Sequence, residues 1–237
     1  MIEFKNVSKS YNGKKKAIDN ISFNVKDGEI FAFIGHNGAG KTTLIKTLVG
    51  ILNYEEGDIF INKKSIKKQP IECKLEMAFV PDSPDLYENM KAVEYIRFIC
   101  DMYGISSKIR DDNIIKYSKM FNIEEQLNDD ISSLSHGMKQ KISLIAALSH
   151  NPKIIIMDEP FVGLDPKSVY DMKEIMKIMA KEGKIIFFST HILDVAEKLC
   201  DRVAIIKEGK IIKIGSMQEV KGDDSLEQVF LELGDKK

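Results

Sequence analysis

The chain has few cysteines, and they form no pattern typical of a disulfide framework or a zinc site. Its three cysteines, Cys73, Cys100 and Cys200, are far apart and include no CxxC pair. Disulfide-stapled secreted domains and zinc-binding modules usually show closely spaced cysteines in even number. We therefore expect the protein to work in a reducing compartment such as the cytosol.

Long apolar runs and an excess of charge are absent as well. No stretch approaches the ~20 apolar residues that cross a bilayer, and residues 1–5 lack the basic and apolar regions of a signal peptide. Lys plus Arg number 35 and Asp plus Glu number 36, which leaves a formal net charge of -1. This balance provides no global basic field, so we expect no nucleic-acid partner. If the protein serves a membrane, we expect it to act through a partner.

What the sequence does contain is the pattern of an α/β protein, and its 237 residues are enough for one large domain. A compact apolar strand is predicted at 30–34, and near-continuous apolar runs at 154–157 and 185–188 predict strands of a parallel sheet covered on both faces. Alternating apolar residues at 2–7 and 21–25, with a turn signal at Asn12-Gly13 between them, predict short antiparallel strands.

Helical periodicity marks much of the rest of the chain. From about 91 to 151 the pattern is mostly helical, and a short acidic helix is predicted from about 221 onward. Glu208-Gly209, between two apolar strands, predicts a hairpin. A further helix after the first apolar run is predicted by Leu44, Ile45, Leu48, Val49 and Leu52.

A glycine-rich segment follows the first of the buried strands and matches the phosphate-binding loop pattern GxxxxGK[ST]. Glycines allow backbone amides to wrap closely around phosphate, and the following helix adds its positive end. Lys41 would reach the β- and γ-phosphates, and Thr42 would ligate Mg²⁺. The alternative, a glycine turn with a solvated lysine, fits the strand–loop–helix context poorly. The predicted nucleotide-binding residues of this segment are Gly35, His36 (at a variable position of the pattern), Asn37, Gly38, Ala39, Gly40, Lys41, Thr42 and Thr43.

Two carboxylates, Asp158 and Glu159, end the apolar strand at 154–157. Open α/β sheets bind their ligands at the carboxyl ends of strands. Asp158 suits the Mg²⁺ shell, and Glu159 suits a general base for the attacking water. Taken alone, the two residues could also be solvated acids at a strand end. The phosphate-binding loop favours the functional interpretation.

Three further motifs complete a resemblance to ATP-binding cassette proteins. Residues 134–140, LSHGMKQ, resemble the signature LSGGQ of that family, and Gly163-Leu164-Asp165 resembles its D-loop. Ser189-Thr190-His191, after another apolar strand, resembles its switch histidine loop. Tyr11 stands where the family places an aromatic ring against adenine. Motif order and spacing agree from about 1 to 215.

The resemblance implies a fold class: α/β, with a P-loop NTPase core, a mixed and mainly parallel sheet, an N-terminal antiparallel β-subdomain and an inserted helical subdomain. It also implies one ATPase domain over 1–237, with the helical insert at about 82–151 and a short tail at about 216–237. In the family, two such domains face each other, and the signature of one closes on the γ-phosphate bound by the other.

The resemblance also implies the ligands and the remaining site residues. ATP and Mg²⁺ are the implied cofactors, with Glu159 and His191 as catalytic residues. Tyr11, Ser135 and Gly137 would bind nucleotide. The implied partners are integral membrane permease subunits and a second cassette, at the cytoplasmic face of the membrane. Segments 84–88 and 225–231 resemble bacterial exporter-type cassettes.

The sequence departs from the family pattern at three positions. His136 replaces a glycine of the signature, and Met138 replaces its glutamine and cannot form the hydrogen bonds of an amide. Asp82 stands where the family usually has the Q-loop glutamine. Its carboxylate is predicted either to ligate Mg²⁺ or water, or to cap the next segment.

Other functions stay open beside the transporter motor. A soluble ATPase acting on the ribosome or on nucleic acid would usually carry two cassettes or a long coiled-coil insert, and this chain has neither. A regulatory cassette that binds ATP without turnover is disfavoured by Lys41, Asp158, Glu159 and His191. A heterodimer with unequal sites is also compatible with the sequence, which names no cargo.

Overall fold

The structure is a computed structural model that describes residues 1–11, 13 and 15–235. Asn12 of the predicted turn and Lys236 and Lys237 of the predicted tail lie outside the described residues. The strands are β1 (Ile2–Ser10), β2 (Lys16–Val25), β3 (Ile30–Ile34), β4 (Glu56–Ile61), β5 (Lys64–Ser65), β6 (Met77–Val80), β7 (Ile154–Asp158), β8 (Ile185–Thr190), β9 (Arg202–Lys207) and β10 (Lys210–Ser216). The helices are α1 (Lys41–Leu48), α2 (Pro70–Lys74), α3 (Ala92–Met102), α4 (Ser107–Phe121), α5 (His136–Ser149), α6 (Pro166–Lys181), α7 (Leu193–Leu199), α8 (Met217–Lys221) and α9 (Leu226–Asp235).

The central sheet has six strands in the order β10-β9-β3-β8-β7-β6. All neighbouring pairs are parallel except β10 with β9, which form the predicted hairpin through Glu208 and Gly209. Both turn residues have positive φ, as the tight turn of such a hairpin requires. The carboxyl ends of β3, β8, β7 and β6 therefore lie side by side along one edge.

Both faces of the central sheet are covered, which explains why its strands have nearly continuous apolar sequences. In β3, Ile30, Ala32 and Ile34 contact a core shared with helices α3 to α7 and α9. Phe31 and Phe33 point the other way, into a core shared with α1 and the N-terminal strands. Because side chains alternate along a strand, one five-residue run contributes to two cores.

The N-terminal strands form a separate antiparallel sheet in the order β2-β1-β4-β5. Stacked aromatic rings connect it to the central sheet. The Phe23 ring of β2 stacks on Phe4 of β1 and on Phe31 of β3, with ring centroids 4.4 Å and 5.3 Å apart. These contacts place the antiparallel sheet over one face of the central sheet. The predicted fold class is confirmed.

Helices α3, α4 and α5 lie between β6 and β7, within the predicted insert of about 82–151. The domain boundaries themselves stay a prediction. Helix α1, which follows the glycine loop, ends at Leu48 and is therefore shorter than its apolar pattern predicts. Gly50 has a φ of 72°, a left-handed conformation that terminates helices, so Leu52 lies outside the helix.

Candidate functional site

The glycine loop joins the carboxyl end of β3 to the first turn of α1, as the sequence predicts. A side chain at Gly40 would come within 2.4 Å of the Ala17 carbonyl oxygen, and one at Gly35 within 2.7 Å of Ile206. Gly40 also has a φ of 113° and stands immediately before α1. Only glycine fits at these two positions, so the loop can turn back over the amino end of the helix.

Lys41 begins α1, and its ammonium group lies beneath the loop. Its Nζ atom donates to the carbonyl oxygen of Gly35 at 2.7 Å. The same atom lies 3.2 Å from Oε1 of Glu159, and both side chains are largely buried. The structure thus brings together the predicted phosphate-binding lysine and the predicted general base, although 118 positions separate them in the sequence (159 − 41).

Glu159 follows β7 in a left-handed backbone conformation, with a φ of 48°. This conformation is unfavourable for a side chain larger than glycine's, so surrounding contacts must hold it. The Glu159 N–H group donates to both the carbonyl oxygen and the hydroxyl oxygen of Ser189, at 3.2 Å and 3.1 Å. Oε2 of Glu159 lies 2.9 Å from Nδ1 of His191. The carboxylate therefore bridges Lys41 and His191.

Asp158 is the last residue of β7 and is buried. It accepts a short hydrogen bond from the hydroxyl group of Ser189. Helix α1 packs against β7, and Thr42 is in the first turn of that helix. A hydroxyl and a carboxylate are the oxygen donors that Mg²⁺ prefers, so Thr42 and Asp158 fit a site for this ion beside the phosphate loop.

Asp82 is exposed and lies beyond β6, the strand next to β7. Its Oδ1 atom accepts the N–H group of Ser83 at 2.8 Å. This contact is with the next residue only, so capping of the following segment also stays a prediction. Its position at the same sheet edge as Asp158 leaves metal ligation by Asp82 as a prediction.

A cleft of about 600 Å³ lies on the outer side of the loop. Tyr11 lines it, is largely exposed, and its hydroxyl group lies 3.1 Å from Oγ1 of Thr43. The volume falls within the range of small-molecule sites. The remaining described residues of the lining include Lys16, Ala17, His36, Asn37, Gly38, Ala39, Ile206 and Gly209.

The signature residues lie at the start of α5. Ser135 caps the helix by accepting the N–H group of Met138 at 3.3 Å, and its side chain is exposed. No hydrogen bond or ion pair in the described part of the chain connects Ser135 or Gly137 with the phosphate loop. His136 lies instead over the D-loop: a side chain at Gly163 would come within 3.3 Å of the His136 ring.

Asp165 of the D-loop also has a local structural role. It caps α6 by accepting the N–H groups of Lys167 and Ser168. Hydrogen bonds from the side chain and backbone of Ser168 lower the pKa of the Asp165 carboxyl. The D-loop is therefore fixed to α6 on one side and contacts the signature on the other.

Sequence reasoning gave no individual role to three residues of this region. Ser189, named only as part of the switch histidine loop, accepts the Glu159 N–H group and donates to Asp158, and its place at the polar end of an apolar strand is a signal that could have identified this role. Gln140 donates from Nε2 to the carbonyl oxygen of Pro160 at 2.9 Å. Phe230 of α9 packs against the loop residue His36, with ring centroids 4.5 Å apart. Neither of the last two contacts has a local sequence signal.

Comparison with known proteins agrees with this geometry. Residues 18–162 match the family model of the ABC transporter. The linearmycin resistance ATP-binding protein LnrL of Bacillus subtilis (strain 168) is 35% identical, over 93% of this chain and 70% of its own length. A solved ATP-binding subunit of an ABC transporter has a TM-score of 0.94 at 32% identity, covering 99% of this chain and 100% of that chain.

A second solved structure adds a functional state. It is a dimeric ATP-binding cassette in a post-hydrolysis state, bound to ADP and Pi. Its TM-score is 0.84 at 25% identity, covering 92% of this chain and 99% of that chain. In the described part of our chain, no helix combines the length and the apolar character that a membrane span requires.

Proposed function

Because the chain belongs to the ABC transporter family, we propose that it is the motor subunit of a transporter whose membrane-spanning subunits are separate chains. The chain is a nucleotide-binding ATPase of the cassette type. One observation carries the assignment of its chemistry: the Glu159 carboxylate lies between the phosphate-loop lysine Lys41 and His191. The proposed role is to bind ATP, hydrolyse it and pass the resulting motion to the membrane subunits.

ATP would bind across the loop of residues 35–43. The loop amides and the start of α1 provide donors and positive potential for the phosphates, and Lys41 provides a fixed positive charge. The adenine ring would lie in the cleft beside Tyr11, which offers an exposed aromatic face. Thr42 and Asp158 would hold Mg²⁺, which when bound neutralises part of the phosphate charge.

Hydrolysis needs a base within reach of the attacking water, and Glu159 is placed for this role. Its carboxylate would take a proton from the water as the water oxygen bonds to the γ-phosphorus and the bond to the β,γ-bridging oxygen breaks. Phosphate oxygens would compete with Glu159 for the Lys41 ammonium group. His191, held through Nδ1, would present the other side of its ring to the γ-phosphate.

Ser135 and Gly137 would act on the nucleotide of a second cassette. Ser135 is exposed and Gly137 is half-buried at the amino end of α5, a position that suits an anion supplied by another chain. Met138 has no side-chain amide for this contact. The Ser135 hydroxyl group, which accepts the Met138 N–H group, still has its own proton to donate to an anion. Two cassettes would then share two ATP molecules, as homodimer or heterodimer.

The membrane partner would dock on the side of the helical insert. A cleft beyond β6 is lined by Tyr95 and the exposed Met102, and the exposed ring of Tyr87 contacts Tyr95 and Phe98. Asp85 also lines this cleft and is exposed. This surface fits a short amphipathic segment with apolar and basic side chains, contributed by a permease at the cytoplasmic face of the membrane. Similarity to LnrL, a linearmycin resistance protein, supports export as the direction.

The test is capture of the partner with a trapped cassette. Tagged Glu159→Gln protein should bind MgATP but turn it over about 10²–10⁴-fold more slowly, as expected on loss of a general base. It would be expressed in its native cell, loaded with MgATP, and purified after gentle solubilisation of the membranes. The control is the Lys41→Ala/Glu159→Gln protein, which lacks the lysine that holds the phosphates.

Recovery of a polytopic membrane protein with the trapped protein would support the transporter function and identify the permease. Recovery of ribosomes or nucleic acid, with no membrane protein, would contradict the transporter function and support a soluble ATPase that acts on those partners. Full ATPase activity of Glu159→Gln would contradict the role of Glu159.

A further inference from the structure

The side chain of Gln140 is buried in the interior, one turn into α5, and reaches from the signature helix to the catalytic turn. It is 1% exposed. Its Nε2 atom donates to the carbonyl oxygen of Pro160, the residue after Glu159. Its Oε1 atom has no hydrogen-bond partner among the described residues. A buried amide with one unpaired oxygen is costly, which points to a role beyond packing.

The contact matters because of where Pro160 lies. Glu159 has the unfavourable positive φ described above, and the chain reverses directly after it. The N–H group of Val162 donates back to the Glu159 carbonyl oxygen at 3.2 Å, which closes the turn. Ser189 holds the entrance of this turn through the Glu159 N–H group. Gln140 holds its exit through the Pro160 carbonyl group.

The amino end of α5 also contacts residues 163–164, which follow the turn. His136 lies over Gly163, as described above, and a side chain at Gly137 would meet Leu164 at 3.8 Å. The amino end of the signature helix and the segment 159–165 therefore form one packed unit. A shift of α5 would be transmitted to the peptide that carries the Glu159 side chain.

We propose that Gln140 is a positioning residue for Glu159: its amide fixes the turn after Glu159 so that the carboxylate stays aligned with the attacking water. The proposal rests on the proposed role of Glu159 as general base. It has a consequence for the dimer. In the proposed dimer the signature would contact the nucleotide of the partner, so Gln140 would link closure on the partner's ATP to the base that acts on the chain's own ATP.

The decisive variant is Gln140→Met, which keeps the length and volume of the side chain and removes the donor. It leaves the Pro160 carbonyl group unpaired but also removes the unpaired Oε1 atom, so the midpoint of thermal unfolding should change little. We expect kcat to fall by about ten- to a hundredfold, because small displacements of a catalytic group are costly. KM for ATP should stay within about twofold, because the side-chain hydrogen bond of Gln140 goes to Pro160 and not to the phosphate loop.

Three measurements separate positioning from a merely structural role. The matched control is Ser149→Ala, which removes another buried side-chain hydrogen bond, at the opposite end of α5; its kcat should equal that of the parent. In a Glu159→Gln background, Gln140→Met should cause no further loss of turnover. Hydrogen exchange at the Val162 amide should be faster in Gln140→Met than in the parent. If the Met variant folds poorly, the same exchange and kcat measurements on Gln140→Leu test the proposal.

A parental kcat in Gln140→Met, while Glu159→Gln is inactive, would overturn the proposal and leave the role of Glu159 intact. If Gln140→Met lowers the unfolding temperature and kcat together, and by the same factor in the parent and in the Glu159→Gln background, Gln140 has a structural role and the positioning role is wrong. An active Glu159→Gln protein would remove the base on which the proposal rests, and this result is distinguishable because it does not depend on Gln140.

Discussion

At the residue scale, the histidine at the carboxyl end of α5 is a titratable group that the proposed chemistry does not use. The His150 ring is buried and stacks on Tyr103, with ring centroids 3.7 Å apart and the planes within 4°. Its Nδ1 atom has no hydrogen-bond partner among the described residues. Burial lowers the pKa of His150 to about 4, and the nearby charge of Lys184 acts in the same direction. The neutral ring is therefore part of the folded structure.

This predicts a loss of stability in mild acid. Above pH 6.5, His150 is neutral in both the folded and the unfolded chain. As the pH falls from about 6.5 to about 4, only the unfolded chain takes up the proton, so unfolding becomes easier. The free energy of unfolding should be about 2 kcal/mol lower at pH 5 than at pH 7 from this group alone. Denaturant titrations at the two pH values measure the difference.

The control for this prediction is His150→Phe, which keeps an aromatic ring against Tyr103 but has no titratable nitrogen. Other groups titrate in the same range, so the relevant quantity is the difference between parent and variant at each pH. We expect that difference to change by about 2 kcal/mol between pH 7 and pH 5. An equal difference at both values would show that the pKa of His150 is not depressed.

At the element scale, α9 connects the C-terminal tail to the nucleotide site. Leu226 donates its N–H group to Glu197 of α7, the helix that follows the switch histidine loop. Phe230 is buried and packs on His36 of the phosphate loop. Docking of α9 should therefore stabilise both the fold and the conformation of the loop.

We predict that Phe230→Ala lowers the free energy of unfolding by about 3 kcal/mol, because a large buried aromatic ring is lost. The same variant should bind ATP more weakly, since His36 loses its packing partner. Leu231→Ala is the matched control on the same helix, because Leu231 is 59% exposed. Chemical denaturation and calorimetric titration with nucleotide measure the two effects. Parental values for Phe230→Ala would mean that α9 is not docked on the loop in solution.

The phosphate loop, the Asp158-Glu159 pair and His191 could be predicted from the sequence because each is a short run at the end of an apolar strand. The strand order that brings them together could not be read from these runs, since it depends on crossover connections. Contacts such as Gln140 with Pro160 and Phe230 with His36 were also hidden. They join residues far apart in the chain whose local patterns indicate only buried helix faces.

At the scale of the whole molecule, the structure separates the two halves of the proposed catalytic site. The phosphate loop with Glu159 and His191 lies at the carboxyl edge of the sheet, whereas Ser135 is exposed at the start of α5. A symmetric dimer would bury the same surface on both copies and would complete both sites at once. An isolated copy would bind ATP without the signature contacts.

Complementation between two inactive variants tests this arrangement. Lys41→Ala should inactivate a chain's own phosphate loop, and Ser135→Arg should block its action on the partner's nucleotide. Each variant alone forms dimers with no complete site. A mixture forms some dimers in which the intact loop of one chain faces the intact signature of the other. With random pairing, half of the dimers carry one intact site of two, so we expect about a quarter of the parental ATPase rate.

Two outcomes would contradict a site shared between identical chains. The first is a mixture as inactive as its components, when the parent is active and differential tags show that mixed dimers have formed. If the parent itself is inactive as a purified homodimer, the second cassette must be a different chain, and adding that chain should then restore turnover to the Ser135→Arg variant's own intact loop.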